Sequence, residues 1–459
     1  MSKYEPVSAE VVAALQTALG AEYVRTDAET LEKYKTDEET DPRYHHLPEV
    51  VIWPGSTEEV AAVMKIANQY NVPVTPRSAG TSVSCGAIPV YGGIVLLLEE
   101  LNTEGMYMVV EAGARTVEIQ EKANAAGFLY AGDPCSADSC LIGGNIATNA
   151  GGNKAVRYGT TRDQVYAIEA VTPTGDIVNV GARLKKKSTG YCLEQLIMGS
   201  EGTLGIITKA TLKLLPLCPY KLDLLAIFTD LDKAVGLVPN LIKAGLNPTS
   251  VEFMDNAFVR SSSDYCELKL PHYEDGFYVI VTVETFNEDE LESKMEQLDE
   301  ICSASGATDV LEADDRVWKL RRNCLESTRV LSLVSTSDDL VVPVDQIANC
   351  IRHLTKVAEN YSFKLFTLAH AGDGNLHFQI LKGEMSDEQW EDEVSRFHAE
   401  AYPYVYSLGG RLSGEHGIGA KKVEAMEKYT EPVEMKMMKE IKRALDPKNI
   451  LNPGKVFNA

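Results

Sequence analysis

No two cysteines of this chain stand in C-x-x-C spacing, and the nine that it has are scattered over 459 residues. An odd number of isolated thiols in a long chain suits reduced cysteines rather than a disulfide framework. It also leaves no thiolate cluster for an iron–sulfur centre. Cys135 and Cys140, in "DPCSADSC", are the nearest pair and have no second pair beside them. There is no uncharged apolar run of about 18 residues, so no transmembrane helix and no direct membrane insertion are expected. The opening residues, "MSKYEPVSAEVVAALQTALG", lack the apolar core of a signal peptide, and a cytoplasmic location is expected. Basic residues are also in short supply, 44 against 67 acidic ones, for a formal charge of −23. That balance argues against nucleic acid or an anionic membrane as the main partner. The one obvious basic patch, "RLKKKS" (Arg183–Ser188), reads as a solvated loop. Neither G-x-G-x-x-G nor G-x-x-x-x-G-K-[ST] occurs, which disfavours the Rossmann and P-loop forms of nucleotide binding.

What remains is a globular composition, 44% hydrophobic and 24% charged, in a chain long enough for two or three domains. Residues 1–45 read as a polar, helical segment, with "AEVVAALQTALG" giving an apolar stripe at helical spacing. Residues 46–218 open with strand, helix and strand, the helix capped near Ser56 or Thr57, and then carry three glycine-rich stretches. In residues 219–386 the order "LDLLAIFTD", "LDKAVGLVPNLIKAG", "TSVEFMD" reads as strand, helix, strand. It is repeated in pattern by "GFYVIVTVETF", "NEDELESKMEQLDEICSASG" and "TDVLEA". Two such units predict an antiparallel, ferredoxin-like sheet from about Leu222 to Gln379. Residues 387–459 turn helical again and close on "LDPKNILNPGKVF". The fold class is therefore α+β.

Two groups of residues carry chemistry. The first is the glycine-rich stretches, "PRSAGTSVSCGA", "IGGNIATNAGGNKAVRYGTTRD" and "GSEGTLGIIT". Glycine and small hydroxyl residues let backbone N–H groups approach a phosphate closely. The second is "LAHAGDGNLHFQI", in which His370 ends one expected strand and His377 opens the next. Both imidazoles can leave the same end of a sheet. With Glu415 in the flexible "LSGEHGIG" they suit a divalent metal with open positions. A hairpin with polar tips and a satisfied core histidine at His377 is the plainer alternative. "DDRVWKLRRNCLESTR" offers Arg316, Arg321, Arg322 and Arg329, as bare composition a solvated helix face.

The stretches "PRSAGTS", "GDPCSADSCLIGGNIATNAGG", "YGTTRDQV", "GSEGTLGIIT", "HAGDGNLH", "GEHGIG" and "DPKNILNPGK" occur in this order. In that order the chain resembles the flavoproteins of the vanillyl-alcohol oxidase (PCMH) type. Within them it is similar to D-lactate dehydrogenase and glycolate oxidase catalytic subunits, from about Tyr34 to Phe457. The resemblance implies a PCMH-type FAD-binding domain of two α+β subdomains, then a ferredoxin-like substrate (cap) domain and a C-terminal helical segment returning to the flavin. It places the pyrophosphate on Arg77, Ser78, Ala79, Gly80, Thr81 and Ser82, and on the loop Gly143, Gly144 and Asn145. It puts Thr148, Asn149, Gly152 and Gly159 along the flavin. Glu201, Gly202, Ile206 and Ile207 fall near the adenosine end, and Asn452 of the last stretch joins the FAD-binding set. Some relatives bond the flavin covalently through a histidine of the first loop. Arg77 to Gly86 holds none, so FAD is expected to be non-covalent. Ser78 stands where relatives often have glycine. The stretch Leu98–Gly113 between a leucine-rich strand and "VVEAG" is shorter than is usual.

The resemblance further implies His370, His377 and Glu415 as ligands of a divalent metal (Fe2+, Zn2+ or Mn2+). It implies His416 as catalytic base and, through W-x-x-R at Trp318, Arg321 as the residue for the substrate carboxylate. Relatives acting on dicarboxylates carry a lysine just before a strand ending in V-P. "TSDDLVVP" has none, which points to a small 2-hydroxy monocarboxylate, lactate or glycolate. Related enzymes hand electrons to an electron-transferring flavoprotein, sometimes with bifurcation, or to an iron–sulfur subunit. A relay subunit without substrate chemistry should lack one of His370, His377, Glu415 or His416, and all four are present.

Overall fold

The computed structural model describes residues 4–39, 41–90, 94–96, 101–104 and 106–459, with the backbone alone at 94–96 and 101–104. It forms two compact units: Met1–Gly151, Thr160–Leu217 and Glu415–Ala459 make the first, Gly152–Gly159 and Cys218–Gly414 the second.

In the first unit, Val24–Arg25 (β1), Val50–Ile52 (β2), Val74–Pro76 (β3) and Ile94–Leu96 (β4) form a sheet in the order β1-β2-β4-β3. β2 and β3 both run parallel to β4. A parallel pair needs a crossover, and helix Thr57–Tyr70 supplies it between β2 and β3. Its start is the expected one: the Ser56 hydroxyl accepts the Glu59 amide at 3.2 Å, satisfying an end-of-helix donor. Val60, Val63, Met64 and Ala67 are its buried stripe, packed on Val50, Ile52 and Val74.

Leu101–Glu104 (β5), Tyr107–Glu111 (β6), Phe128–Leu129 (β7), Val165–Val171 (β8), Ile177–Gly181 (β9), Ile206–Lys213 (β10) and Leu215–Pro216 (β11) come next in the chain. Five of them make an antiparallel sheet, β5-β6-β10-β8-β9, and β11 pairs with β7. In the short stretch Leu98–Gly113, Leu101 to Glu104 pair with Val110 to Tyr107; its residues 98–100 and 105 lie outside the described residues.

The second unit holds Tyr220–Phe228 (β12), Ser250–Met254 (β13), Phe277–Thr285 (β14), Asp309–Glu312 (β15), Ser335–Val341 (β16), Lys364–His370 (β17) and Asn375–Leu381 (β18). They form one antiparallel sheet, β15-β12-β14-β13-β17-β18-β16. Counting β12 to β15 as one to four, the first half runs 4-1-3-2, the ferredoxin-like order. Helices Leu231–Lys243 and Glu288–Ala304 stand where the sequence pattern puts them. The sheet then continues past β13 by three strands. Helices Asn256–Tyr265 and Asp315–Arg322 pack a core against one face, where Phe258, Val259, Val317 and Leu320 meet Leu225, Met254, Ile280 and Leu368.

Candidate active site

Strand register assembles the site face of the second unit. Residues paired across strands share a face, and so do alternate residues along a strand. Glu252 of β13 pairs with His370 of β17, which pairs with Asn375 of β18. Two residues on, His377 pairs with Asp339 of β16. Glu252, His370, Asn375, His377 and Asp339 therefore all rise from one face, and the two imidazole centroids are 5.1 Å apart. The hairpin between the histidines needs its glycine: Gly374 has φ +87°, and a Cβ there would lie 2.0 Å from the Val342 carbonyl oxygen.

Glu252 is wholly buried, and each of its oxygens has a distinct task. Oε1 lies 2.8 Å from His370 Nδ1. Oε2 accepts from Arg321 Nε at 3.0 Å and Nη2 at 2.7 Å. Burial raises the Glu252 carboxyl, but the His370 and Arg321 charges and hydrogen bonds outweigh it and hold the group below its ordinary range. An ionised carboxylate only accepts, so Nδ1 of His370 carries a proton toward Oε1; in the neutral ring the lone pair is then on Nε2. That is the arrangement in which a histidine ligates a metal through one nitrogen and is oriented by a carboxylate through the other. The donor chemistry of His370 thus fits a cation. Arg321 projects from helix Asp315–Arg322 and is buried against Glu252. Trp318, one turn earlier, donates from Nε1 to Asp223 at 3.1 Å and secures that helix to β12.

Asp339 is the second buried acid of this face. Oδ1 accepts from Asn375 Nδ2 at 2.5 Å, and Oδ2 from Ser413 Oγ at 2.6 Å and Gly414 N at 3.0 Å. His377 Nδ1 is 3.8 Å from Oδ1, beyond hydrogen-bond length. Asp339 thereby fixes the last residues of the second unit, and Glu415 and His416 come directly after them in the chain.

Glu415 and His416 begin the "GEHGIG" return of the first unit, which touches all three glycine-rich stretches there. A Cβ on Gly151 would lie 2.9 Å from Glu415 Oε2. Ser84 Oγ donates to the His416 carbonyl at 2.9 Å. Glu201 accepts the Ile418 and Gly419 amides, both at 2.7 Å. Burial pushes the Glu201 carboxyl up, and these two amides pull it back in part. His416 is partly exposed, with Nε2 3.8 Å from Glu415 Oε1.

The first loop fits a bound diphosphate. Among the described residues, none of the Ser78, Ala79, Gly80, Thr81 or Ser82 amides donates to a backbone carbonyl. Such a row of open amides is an anion cradle. Gly80 turns it with φ +78°, and the Ser78 hydroxyl is buried without a partner. Ser78 also lies against Gly144, whose Cβ would stand 3.2 Å away. Arg77 is turned back on its own loop: it donates to the Thr36 carbonyl at 2.8 Å and lies over the Tyr34 ring, and burial lowers its pKa. Gly143, Gly144 and Asn145 differ from their expected form. They lie in helix Ile142–Thr148, not a loop. The Gly143 amide bonds the Ala112 carbonyl at 2.8 Å, and a Cβ at Gly143 would come within 2.6 Å of Ala112 Cβ. Here glycine serves close packing as well as a turn.

The remaining expected cofactor residues divide into side chains with structural partners and backbone positions. Asn145 donates to Thr116 at 2.6 Å, Thr148 to the Gly144 carbonyl at 3.2 Å, and Asn149 accepts from Thr160 and from the Arg162 amide, both at 2.9 Å. Gly152 and Gly159 have φ +112° and +80° and bound the short segment that belongs to the second unit. Ile206 and Ile207 are buried in β10, in separate cores. Gly202 approaches both Pro76 and Asn452. Asn452 donates to the Glu201 carbonyl at 2.6 Å, and its Oδ1 is buried without a partner, open to a ligand's donor.

Glu252 and Asp339 do not stand out in the sequence. The available signal is acid inside an apolar strand, "SVEFM" and "SDDLV", where a buried charge demands a partner.

Residues 48–181 match the family described as FAD binding domain, and residues 221–456 match FAD linked oxidases, C-terminal domain. A D-lactate dehydrogenase of Anaerostipes hadrus is 36% identical over 89% of both chains. The glycolate oxidase subunit GlcD of Bacillus subtilis is 34% identical over 91% of this chain and 90% of its own. A D-lactate dehydrogenase of Archaeoglobus fulgidus is 36% identical over 89% and 91%. Among solved structures, p-cresol methylhydroxylase with substrate bound aligns with a TM-score of 0.84 at 17% identity, covering 97% of this chain and 96% of its own. 4-Ethylphenol oxidase from Gulosibacter chungangensis aligns at 0.78 and 20%, covering 99% and 98%. At such identities these two speak for the fold, a PCMH-type α+β architecture.

Proposed function

The chain belongs to the FAD-linked oxidases, and from that premise we propose that it oxidises D-lactate to pyruvate. The observation that carries the reading is the imidazole pair of His370 and His377 on one sheet face, with Glu252 behind His370, in a chain 36% identical to two D-lactate dehydrogenases. His370, His377 and Glu415 are the proposed metal ligands and His416 the base. Bound FAD supplies the two-electron acceptor, and a divalent cation (Fe2+, Zn2+ or Mn2+) supplies a Lewis acid that lowers the pKa of the substrate hydroxyl. His416 takes the hydroxyl proton on a ring nitrogen, a task suited to a group with pKa near neutral. The C2 hydride, two electrons and one proton, passes to the flavin as the hydroxyl proton passes to His416, so pyruvate forms with two electrons and two protons accounted for. Arg321 faces the substrate carboxylate as a fixed positive charge. FAD is held non-covalently by the Arg77–Ser82 loop and the positions grouped with it.

Electrons pass on to a second protein, an electron-transferring flavoprotein in the cytoplasm. The likeness to a protein named a glycolate oxidase subunit supports a second reading: glycolate as substrate and an iron–sulfur subunit as acceptor. No helix among the described residues is long and apolar enough to cross a membrane.

The test is anaerobic mixing of the purified flavoprotein with D-lactate, L-lactate, glycolate and D-2-hydroxyglutarate, following flavin absorbance. Bleaching by D-lactate alone, abolished by a chelator and by His416→Ala, is the expected result. Bleaching by glycolate at least as fast moves the assignment to the second reading. No bleaching by any of them, with FAD and metal bound, leaves an electron-relay subunit.

A further inference from the structure

Glu252 lies at the middle of β13, a strand whose five residues are all buried. Its own residue exposure is 0%. A carboxylate in such a place is costly unless every lone pair facing protein is matched. Here the match is divided by oxygen: Oε1 faces His370 Nδ1 at 2.8 Å, and Oε2 takes both Nε and Nη2 of Arg321. The partners lie 118 and 69 residues away in the chain, so neither contact arises from local structure. Asp339, the other buried acid of this face, stands 3.8 Å from the nearer nitrogen of His377 and spends its oxygens on Asn375, Ser413 and Gly414. Of the two acids, only Glu252 is within hydrogen-bond reach of its imidazole.

We propose that Glu252 is a positioning residue, which fixes His370 with Nε2 presented as a ligand atom and holds the Arg321 guanidinium with the same carboxylate. The inference rests on the proposed reading of His370 as a metal ligand. One carboxylate then ties the group that receives the cation to the group that receives the substrate's charge. Removing it loosens both.

The experiment is a Mn2+ titration of the purified FAD-bound chain, read by the electron paramagnetic resonance of free Mn2+, for the parent, His370→Ala, Glu252→Gln and Glu252→Asp. Glutamine has one acceptor oxygen, so its amide NH2 faces either the guanidinium, donor against donor, or His370 Nδ1, which must then turn acceptor and put the ring proton on Nε2. Loss of the orienting carboxylate of a ligating histidine weakens a metal by about 10–100-fold. Glu252→Gln is expected to fall in that range while FAD stoichiometry and circular dichroism hold. Glu252→Asp, which keeps the charge on a shorter stem, should recover part of the loss. If Glu252→Gln does not fold, Glu252→Asp carries the test with an expected loss of several-fold. Unchanged Mn2+ affinity in a folded Glu252 variant, with binding abolished in His370→Ala, overturns the positioning role alone. Equal Mn2+ binding by the parent and His370→Ala overturns the metal reading and this inference with it.

Discussion

A methyl group on Gly414 would lie 2.3 Å from the side-chain nitrogen of Asn375, and that nitrogen already bonds Asp339 at 2.5 Å. Something must shift to admit it. Asn375 is held between Asp339 and the Leu340 carbonyl, so the strain falls on Gly414 and on Glu415 beside it. A displacement of about 1 Å at a reacting group can cost on the order of 100-fold in rate. Gly414→Ala is expected to lower the rate of anaerobic flavin reduction by D-lactate at least tenfold. The rate is compared per bound flavin, because the segment that follows Gly414 also touches the glycine-rich stretches. Full activity would show that the Ser413–Gly414 anchor does not position Glu415 and His416.

Asp338 and Asp339 are neighbours in β16 and point to opposite faces. Asp339 serves the site face. Asp338 accepts from Tyr402 at 2.9 Å and pairs with His398 Nε2 at 2.7 Å, both on helix Asp387–Ser407. The two substitutions should therefore separate. Asp339→Asn sets an amide NH2 against either the Asn375 amide nitrogen or the Gly414 N–H and is expected to lose turnover at least tenfold. Asp338→Asn removes the charge facing His398 and is expected to lower the unfolding midpoint, by about 1–3 kcal/mol of stability, with near-parent turnover per folded molecule. Paired kinetic and thermal measurements check both, and equal loss of turnover in the two variants would contradict the division of faces.

Much of this is legible in the sequence because it is local. The strand and helix order of β12 to β15 comes from side-chain periodicity, and the 4-1-3-2 pairing is the usual outcome of two strand–helix–strand units. His370 and His377 can be placed on one hairpin because a tight turn fixes the register. The addition of β17, β18 and β16 to the edge of β13 cannot be read, since nothing within a strand names its partner. For the same reason Glu252 is inconspicuous: it is a single acid in "SVEFM" until β17 is laid beside it. The helix Ile142–Thr148 is hidden for a different cause. Two glycines depress helix propensity, and the close approach to Ala112 that makes them necessary is a tertiary contact.

Asp255 caps helix Asn256–Tyr265, accepting the Phe258 amide at 2.8 Å and the Thr367 amide at 2.6 Å. Burial nonetheless dominates and pushes its carboxyl up to about 7 from an ordinary 3.8. The folded state then binds the proton more tightly than the unfolded chain. The stability this contributes is complete below the unfolded value and is lost as pH rises through the folded one. Between roughly pH 4 and pH 7 the parent should lose stability relative to Asp255→Asn, whose side chain does not titrate. Thermal unfolding of the two at several pH values checks the sign. A difference in midpoint that is independent of pH would show that Asp255 does not titrate in this window.

Glu201 holds a backbone that its own conformation makes expensive. It has φ +52°, a left-handed geometry that side chains other than glycine seldom adopt, and it is buried. In return its two oxygens take the Ile418 and Gly419 amides, one each. Its carbonyl takes Asn452 Nδ2. Three of the sequence stretches that carry the family resemblance, "GSEGTLGIIT", "GEHGIG" and "DPKNILNPGK", thus meet at one residue. Glu201→Gln preserves size and conformation but has one acceptor oxygen for two amides, so one buried N–H loses its partner at a cost of about 1–3 kcal/mol. The expected result is weaker retention of FAD on dialysis and a lower unfolding midpoint of the apoprotein. Both should appear together, because the same hydrogen bond ties the return segment to the nucleotide loops. Glu201→Gly relieves the left-handed strain but removes both acceptors. It should be worse than Glu201→Gln if the hydrogen bonds dominate, and better if the backbone strain does.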